Sequence, residues 1–142
     1  MTDPVVLQLH NRHRTAALFR VRAHWGSLPD GIELLIGIAG LPAAKQPADP
    51  AAAELFPTVL DAGCGRRVAL DPSNIHRLKP DAQRRSDLPE ILIPAAQPLF
   101  AAIRIVTPAK LPPGPWPQFD VVQLEHGRVV GGCTIQIRAP LT

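Results

Sequence analysis

Apolar residues in this chain recur at every second position, and that period restricts the fold more than any other feature. In ALFRVRAHW, residues 17–25, Phe19, Val21, Ala23 and Trp25 share one parity, while Arg20, Arg22 and His24 share the other. A period of two marks a half-buried strand, with one face on a core and the other in water. Val5, Leu7 and Leu9 alternate in the same way with Val6, Gln8 and His10. These two runs are placed to pair as a hairpin across the polar turn Asn11 to Thr15. In LFAAIRIV, residues 99–106, Leu99, Ala101, Ile103 and Ile105 face one way and Arg104 the other.

The 17 prolines are spread through all 142 residues, so they divide the chain into short elements rather than forming one proline-rich tract. The run IELLIGIAGL, residues 32–41, is apolar on both parities and reads as a central strand. Gly37, Gly40 and the many Ile residues disfavour a helix there. Residues 42–57 read as loop, with Asp49 as N-cap and Pro50 in first position of a helical turn or two. Residues 66–71 form another short strand, and residues 72–90 a polar, basic connection with a helical turn. Glu90 to Pro94 is a further apolar run. LPPGPWP, residues 111–117, is a rigid connector whose prolines cannot donate to a ladder.

The final unit is a hairpin, FDVVQLE and RVVGGCTIQIR joined by His126-Gly127. It sets Leu124 opposite Val129 and Val122 opposite Gly131. Val122, Leu124, Val129, Cys133, Ile135 and Ile137 then share an apolar face. Gln123, Glu125, Arg128, Thr134, Gln136 and Arg138 share a polar one. Gly131-Gly132 marks a bulge or a close backbone approach. The whole chain, 1–142, is expected to be one domain: an all-β, antiparallel sandwich of seven or eight short strands with Pro-rich loops and at most one or two helical turns.

Charge and cysteine content narrow the function. Fifteen basic and 12 acidic residues give +3, which favours solubility without demanding a polyanionic partner. No charged and apolar leader opens the chain, and no apolar run reaches membrane-span length, so a cytoplasmic location is expected. An extracytoplasmic one follows if the chain is a fragment of an exported protein. Cys64 and Cys133 are too few for a disulfide framework and are expected as free thiols.

Val59-Leu60-Asp61-Ala62-Gly63-Cys64-Gly65 resembles the first motif of class I S-adenosylmethionine-dependent methyltransferases. The resemblance implies a cofactor lying against the glycine turn, a crossover helix, and an acidic residue ending the next strand. Arg67 stands where that pattern has a small residue. The strand-like RVALD follows Gly65 directly, leaving no room for the crossover that parallel strands require. The expected structure is therefore a hairpin: Thr58 to Asp61 up, residues 62–65 turning, Arg66 to Asp71 down.

Other chemistry is sparse. Cys64 lies between glycines and beside Arg66 and Arg67, which would favour a thiolate; an ordinary thiol on a turn is the simpler expectation. His10, His13, His24, His76 and His126 have neither the spacing nor the partners of a metal site, so no metal and no cofactor are expected. The basic residues fall in two groups, His10 to Arg14 with Arg20, Arg22 and His24, and His76 to Arg85 with Arg66 and Arg67. They would make a phosphate-binding face only if they converged, and nucleic acid is not the expected partner.

The alternating N-terminal strand, the Pro-rich connectors and the closing FDVVQLEHGRVVGGCTIQIR hairpin are similar to immunoglobulin- or fibronectin-III-like sandwich domains of bacterial adhesion-related and accessory proteins. The resemblance implies a non-catalytic interaction or assembly module with a protein partner or self-association. Arg20, Arg22 and His24 on one strand face, and Trp116 in the connector, are the candidate binding residues. The competing expectations are a small enzyme using Cys64 or a histidine cluster, and a phosphate or nucleic-acid binder.

Overall fold

The computed structural model describes residues 5–26, 28–45, 49–107 and 118–137. Two antiparallel sheets pack face to face. The first has the order β1 (Val5–Leu9), β9 (Leu99–Val106), β3 (Glu33–Ala39), β6 (Ile75–Leu78). The second has the order β11 (Arg128–Gln136), β10 (Gln118–Glu125), β2 (Ala17–His24), with β7 (Arg85–Asp87) and β8 (Ile91–Ile93) both along the far edge of β2. A separate hairpin joins β4 (Val59–Asp61) to β5 (Arg67–Ala69), and α1 (Pro50–Ala53) is a single helical turn. The all-β antiparallel sandwich is thus the observed architecture, with eleven strands among the described residues rather than seven or eight.

The additional strands come from residues 72–90. Asp71 caps a 3₁₀ turn at Pro72–Asn74, β6 follows, and Arg85–Asp87 pairs with β2. Pro89 then interrupts the ladder before β8 resumes it. Each piece is too short to display a period, and each is held by its neighbour rather than by its own pattern. Asp49 caps α1 as expected, its carboxylate accepting from the N–H groups of Ala51 and Ala52.

The alternating strands meet in one core. Phe19, Val21 and Ala23 of β2 and Phe119 and Val121 of β10 pack against Leu34, Ile36 and Ile38 of β3 and Ala101, Ile103 and Ile105 of β9. Burying one such apolar side chain contributes about 1.5–3 kcal/mol. The other parity of β3 and β9 is also buried. Leu35, Ala39, Phe100 and Ala102 lie under Ala52, Phe56, Leu60 and Leu70 in a second cluster. The central-strand expectation for residues 32–41 therefore holds on both faces.

The methyltransferase-like stretch forms this second cover. Val59 pairs with Ala69, Leu60 with Val68 and Asp61 with Arg67. Gly63, Cys64 and Gly65 all take positive φ to reverse the chain, and nothing approaches the two glycines closely. Leu60 and Leu70 are buried beneath the hairpin, so these letters serve a turn and its apolar anchors.

Two pairings differ from expectation. β1 does not pair with β2. It joins β9 in the first sheet, from Val5 opposite Ile103 to Leu9 opposite Leu99, while β2 joins β10 in the second. Residues 10–16 instead cross between the sheets, which lets Leu7 and Leu9 reach the core from the opposite side. The closing hairpin also changes register. His126 and Gly127 make the turn and Leu124 faces Val129, but Gln123 faces Gly131 and Val122 faces Gly132. Val130 is the extra, bulged residue. A one-residue slip exchanges the two faces of a strand. Phe119, Val121 and Gln123 therefore turn inward with Cys133 and Ile135, while Val122 and Leu124 take the opposite parity beside Arg22 and Arg20, where Leu124 is nonetheless buried.

Candidate functional site

Among the described residues, β1 and β11 are the outer strands of their sheets, and both line one flank of the sandwich. Between them the sheets leave a cavity of about 600 Å³. Its apolar lining comes from Leu7, Leu9, Phe19, Val121, Val130 and Cys133. β11 contributes two glycines to the lining. A Cβ on Gly132 would lie 2.6 Å from the Val121 carbonyl oxygen, so the strand can approach β10 this closely only without a side chain. At Gly131 the nearest atom to a Cβ would be Gln123 Oε1, 3.9 Å away, leaving that inward position empty.

The crossover from β1 to β2 closes one end of the cavity and is pinned by two amides. The buried Gln123 side chain donates from Nε2 to the His10 carbonyl at 2.5 Å and accepts the His10 N–H at 3.2 Å. Asn11 Nδ2 donates to the carbonyls of Thr15 at 2.8 Å and Ile93 at 2.9 Å, and Asn11 Oδ1 accepts the His13 N–H at 2.8 Å. His13 Nε2 lies 2.5 Å from Glu125 Oε1, and its ring stacks at 6.4 Å on Phe19. The buried Gln123 amide, bonded at both ends, holds the backbone in one conformation, because each unpaired group would cost about 1–3 kcal/mol; Asn11 is half-buried. Arg12 projects from this pinned turn, lines the cavity, is exposed, and makes no ion pair with a described residue. Glu125 is the sole carboxylate among the lining residues, and His13 already engages it.

Arg20, Arg22 and His24 do form one outward row on β2, but acidic neighbours cover it. Arg22 meets Asp87 through Nε at 2.5 Å and through a second nitrogen at 3.0 Å. That hydrogen bonding raises the guanidinium pKa and lowers that of the carboxyl. Arg20 lies 3.5 Å from Asp87 and 3.3 Å from Glu90, while His24 sits between Asp120 and Arg85 in the ladder. The row fastens β7 to β2. Trp116 lies outside the described residues.

The remaining candidates are dispersed. Cys64 is exposed at the tip of the outer hairpin, and the neighbouring Arg66 lies 5.9 Å above the Phe100 ring. Cys133 packs at the edge of the core, and burial, then Asp120, push its thiol pKa up. His76 sits on the opposite flank beside a second cavity of about 390 Å³, where burial lowers its pKa. His10 and His13 border the first cavity, and His126 is in the hairpin turn. Among the described residues, no three His, Cys, Asp or Glu side chains gather as metal ligands. In the second basic group, Arg77 pairs with Glu33 and Asp49, Arg84 with Asp30 and Arg85 with Asp81. The two basic groups touch where Arg85 faces His24, beside Asp81 and Asp87.

Gln123, Asn11 and Glu125 escaped the sequence reading. The available signal was Gln123, a polar residue on the same parity as Phe119 and Val121. No helix among the described residues is long and apolar enough to cross a membrane. Compared with protein-family models, curated proteins and solved structures, the chain matches none.

Proposed function

We propose that the chain is a non-catalytic protein-interaction module of immunoglobulin-like type, and that it receives an extended segment of a partner protein on β11. The observation that carries this reading is the cavity between the outer strands β1 and β11. An outer strand presents unpaired N–H and C=O groups to which another strand can add. Gly131 to Gln136 contain no charge and no proline, the usual guards against such pairing. Alternate side chains of an added strand would enter the apolar cavity, filling the space beside Gly131.

Amide exchange tests this directly. An N-acetylated hexapeptide alternating Ser and Val should protect backbone amides within Gly131 to Gln136. Gly131→Leu, which fills open space, should abolish the protection while leaving the thermal transition near its original position. Protection confined to another strand, or unchanged protection in Gly131→Leu, would remove the flank from consideration.

A further inference from the structure

Resting on the flank reading above, we propose that the segment added to β11 anchors itself with an aromatic side chain, placed opposite Gly131 and inserted into the cavity between β1 and β11. Three observations converge there. The first is space. Gly131 faces the inward Gln123 across the ladder, and a Cβ built on it would meet nothing nearer than 3.9 Å. Val130, bulged beside it, lines the cavity and is 47 % exposed, so the cavity opens at this part of β11. Residues opposite each other on neighbouring strands point to the same face. Whichever way the added segment runs, its side chain opposite Gly131 therefore enters. At about 600 Å³ the cavity has the size of a small-molecule pocket, more than a Val side chain fills.

The second observation is ring chemistry. Phe19 and His13 both line the cavity, their rings stacked with centroids 6.4 Å apart. A further ring gains offset or edge-on contact with such a pair, beyond the area it buries. The third is charge. Arg12 lines the same cavity, is exposed and makes no ion pair with a described residue, while Glu125 is engaged by His13. A guanidinium attracts the electron-rich face of a ring, which an aliphatic side chain lacks. An acidic anchor would also meet Arg12, but it would bring an ion against Leu7, Leu9, Val121 and Cys133. Among the described residues the large apolar side chains exposed on this chain are all Val or Leu. The described strands of a second copy have no such ring to offer, and the occupant is a segment of a different protein.

The probes are acetyl-Ser-Val-Ser-Phe-Ser-Val-amide and two analogues with Val or cyclohexylalanine in place of Phe. Titrations followed through the amide NMR signals of Gly131 to Gln136 should find the Phe peptide about tenfold tighter than the Val peptide. It should also bind about threefold tighter than the cyclohexylalanine peptide, which matches its bulk without a ring face. Arg12→Gln should remove the second difference and leave the Val peptide unchanged. The melting temperature should not move, because Arg12 is exposed and unpaired among the described residues. Equal affinity of the Phe and Val peptides, with the β11 signals still shifting, would overturn the aromatic anchor and keep strand addition. Equal affinity of the Phe and cyclohexylalanine peptides would assign the gain to volume and likewise overturn the anchor. If none of the three moved the β11 signals, both readings would fall. β11 signals that shift on dilution of the protein alone would seat a second copy there and overturn the proposal.

Discussion

The side-chain amide of Gln123 binds both backbone polar groups of His10, although the two residues are 113 positions apart in sequence. One inward-facing amide on β10 thereby fastens the end of β1 to the opposite sheet. Replacing Gln123 with Leu keeps the approximate volume and leaves the His10 N–H and C=O without these partners. The expected cost is about 1–3 kcal/mol, measured by urea denaturation. Amides of residues 10–16 should also exchange faster than the rest of the protein. A variant as stable as the parent would show that water replaces the amide at no cost.

Adjacent glycines on β11 should respond in opposite ways. Gly132→Ala places a Cβ 2.6 Å from the Val121 carbonyl and 3.0 Å from Val122 Cα, at a φ of +154°. It is expected to destabilise by about 1–3 kcal/mol through overpacking. Gly131→Ala meets only Gln123 Oε1 at 3.9 Å and should change stability by no more than about 0.5 kcal/mol. Paired thermal melts distinguish the two, and equal losses would contradict the close approach at Gly132.

The outer hairpin is expected to contribute to stability through Leu70. This side chain rests on Gly37 of β3, where both Leu70 δ-carbons would lie 3.1 Å from a Cβ. Leu70→Ala opens the second apolar cluster and should cost about 2–5 kcal/mol. Cys64→Ser, at the exposed tip of the same hairpin, should leave the denaturation midpoint in place. If Leu70→Ala melted with the parent, the hairpin would be an appendage rather than a cover.

His76 supplies a pH dependence. Burial lowers its pKa from the ordinary 6.5, so the folded protein favours the neutral ring more than the unfolded chain does. The unfolded chain therefore takes up more protons as pH falls below 6.5. The stability contributed by neutral His76 is complete above that value and is lost as pH drops through the folded pKa. Glu90 and Lys45 line the same cavity. Asp87, also lowered from its ordinary 3.8, acts only in more acidic solution, where Arg22 ceases to hold a charged partner. Denaturation midpoints taken from pH 7 down to pH 5 should fall less steeply in His76→Gln. Parallel curves would sink the assignment.

The alternation in residues 17–25 and 99–106 disclosed the sandwich because a period of two needs only local sequence. IELLIGIAGL likewise disclosed its double burial, since both parities are apolar. The failures have local causes too. β6, β7 and β8 are too short to establish a period, so their pairing with β3 and β2 had no local sign. Val130 carries nothing that marks it as bulged, yet it reverses which side of β10 meets the core. The flank cavity was illegible for a different reason. It depends on β1 crossing to β9 instead of pairing with β2, a choice made by the assembled core. Arg20 and Arg22 were correctly placed on an outer face, but their covering by Asp87 required knowing that residues 85–87 return alongside.

The two faces of β3, at the centre of the first sheet, are both dry, whereas the outer face of the second sheet carries Arg20, Arg22, Leu18 and Leu92. The two strands β3 and β2 should therefore differ in how much substitution they tolerate. Along β2, substitutions should be accepted at every other residue, giving descendants of this chain freedom to redraw that surface. Along β3, consecutive positions are closed to change. Divergence should accumulate on one side of the molecule and leave the other as the lasting record of its ancestry.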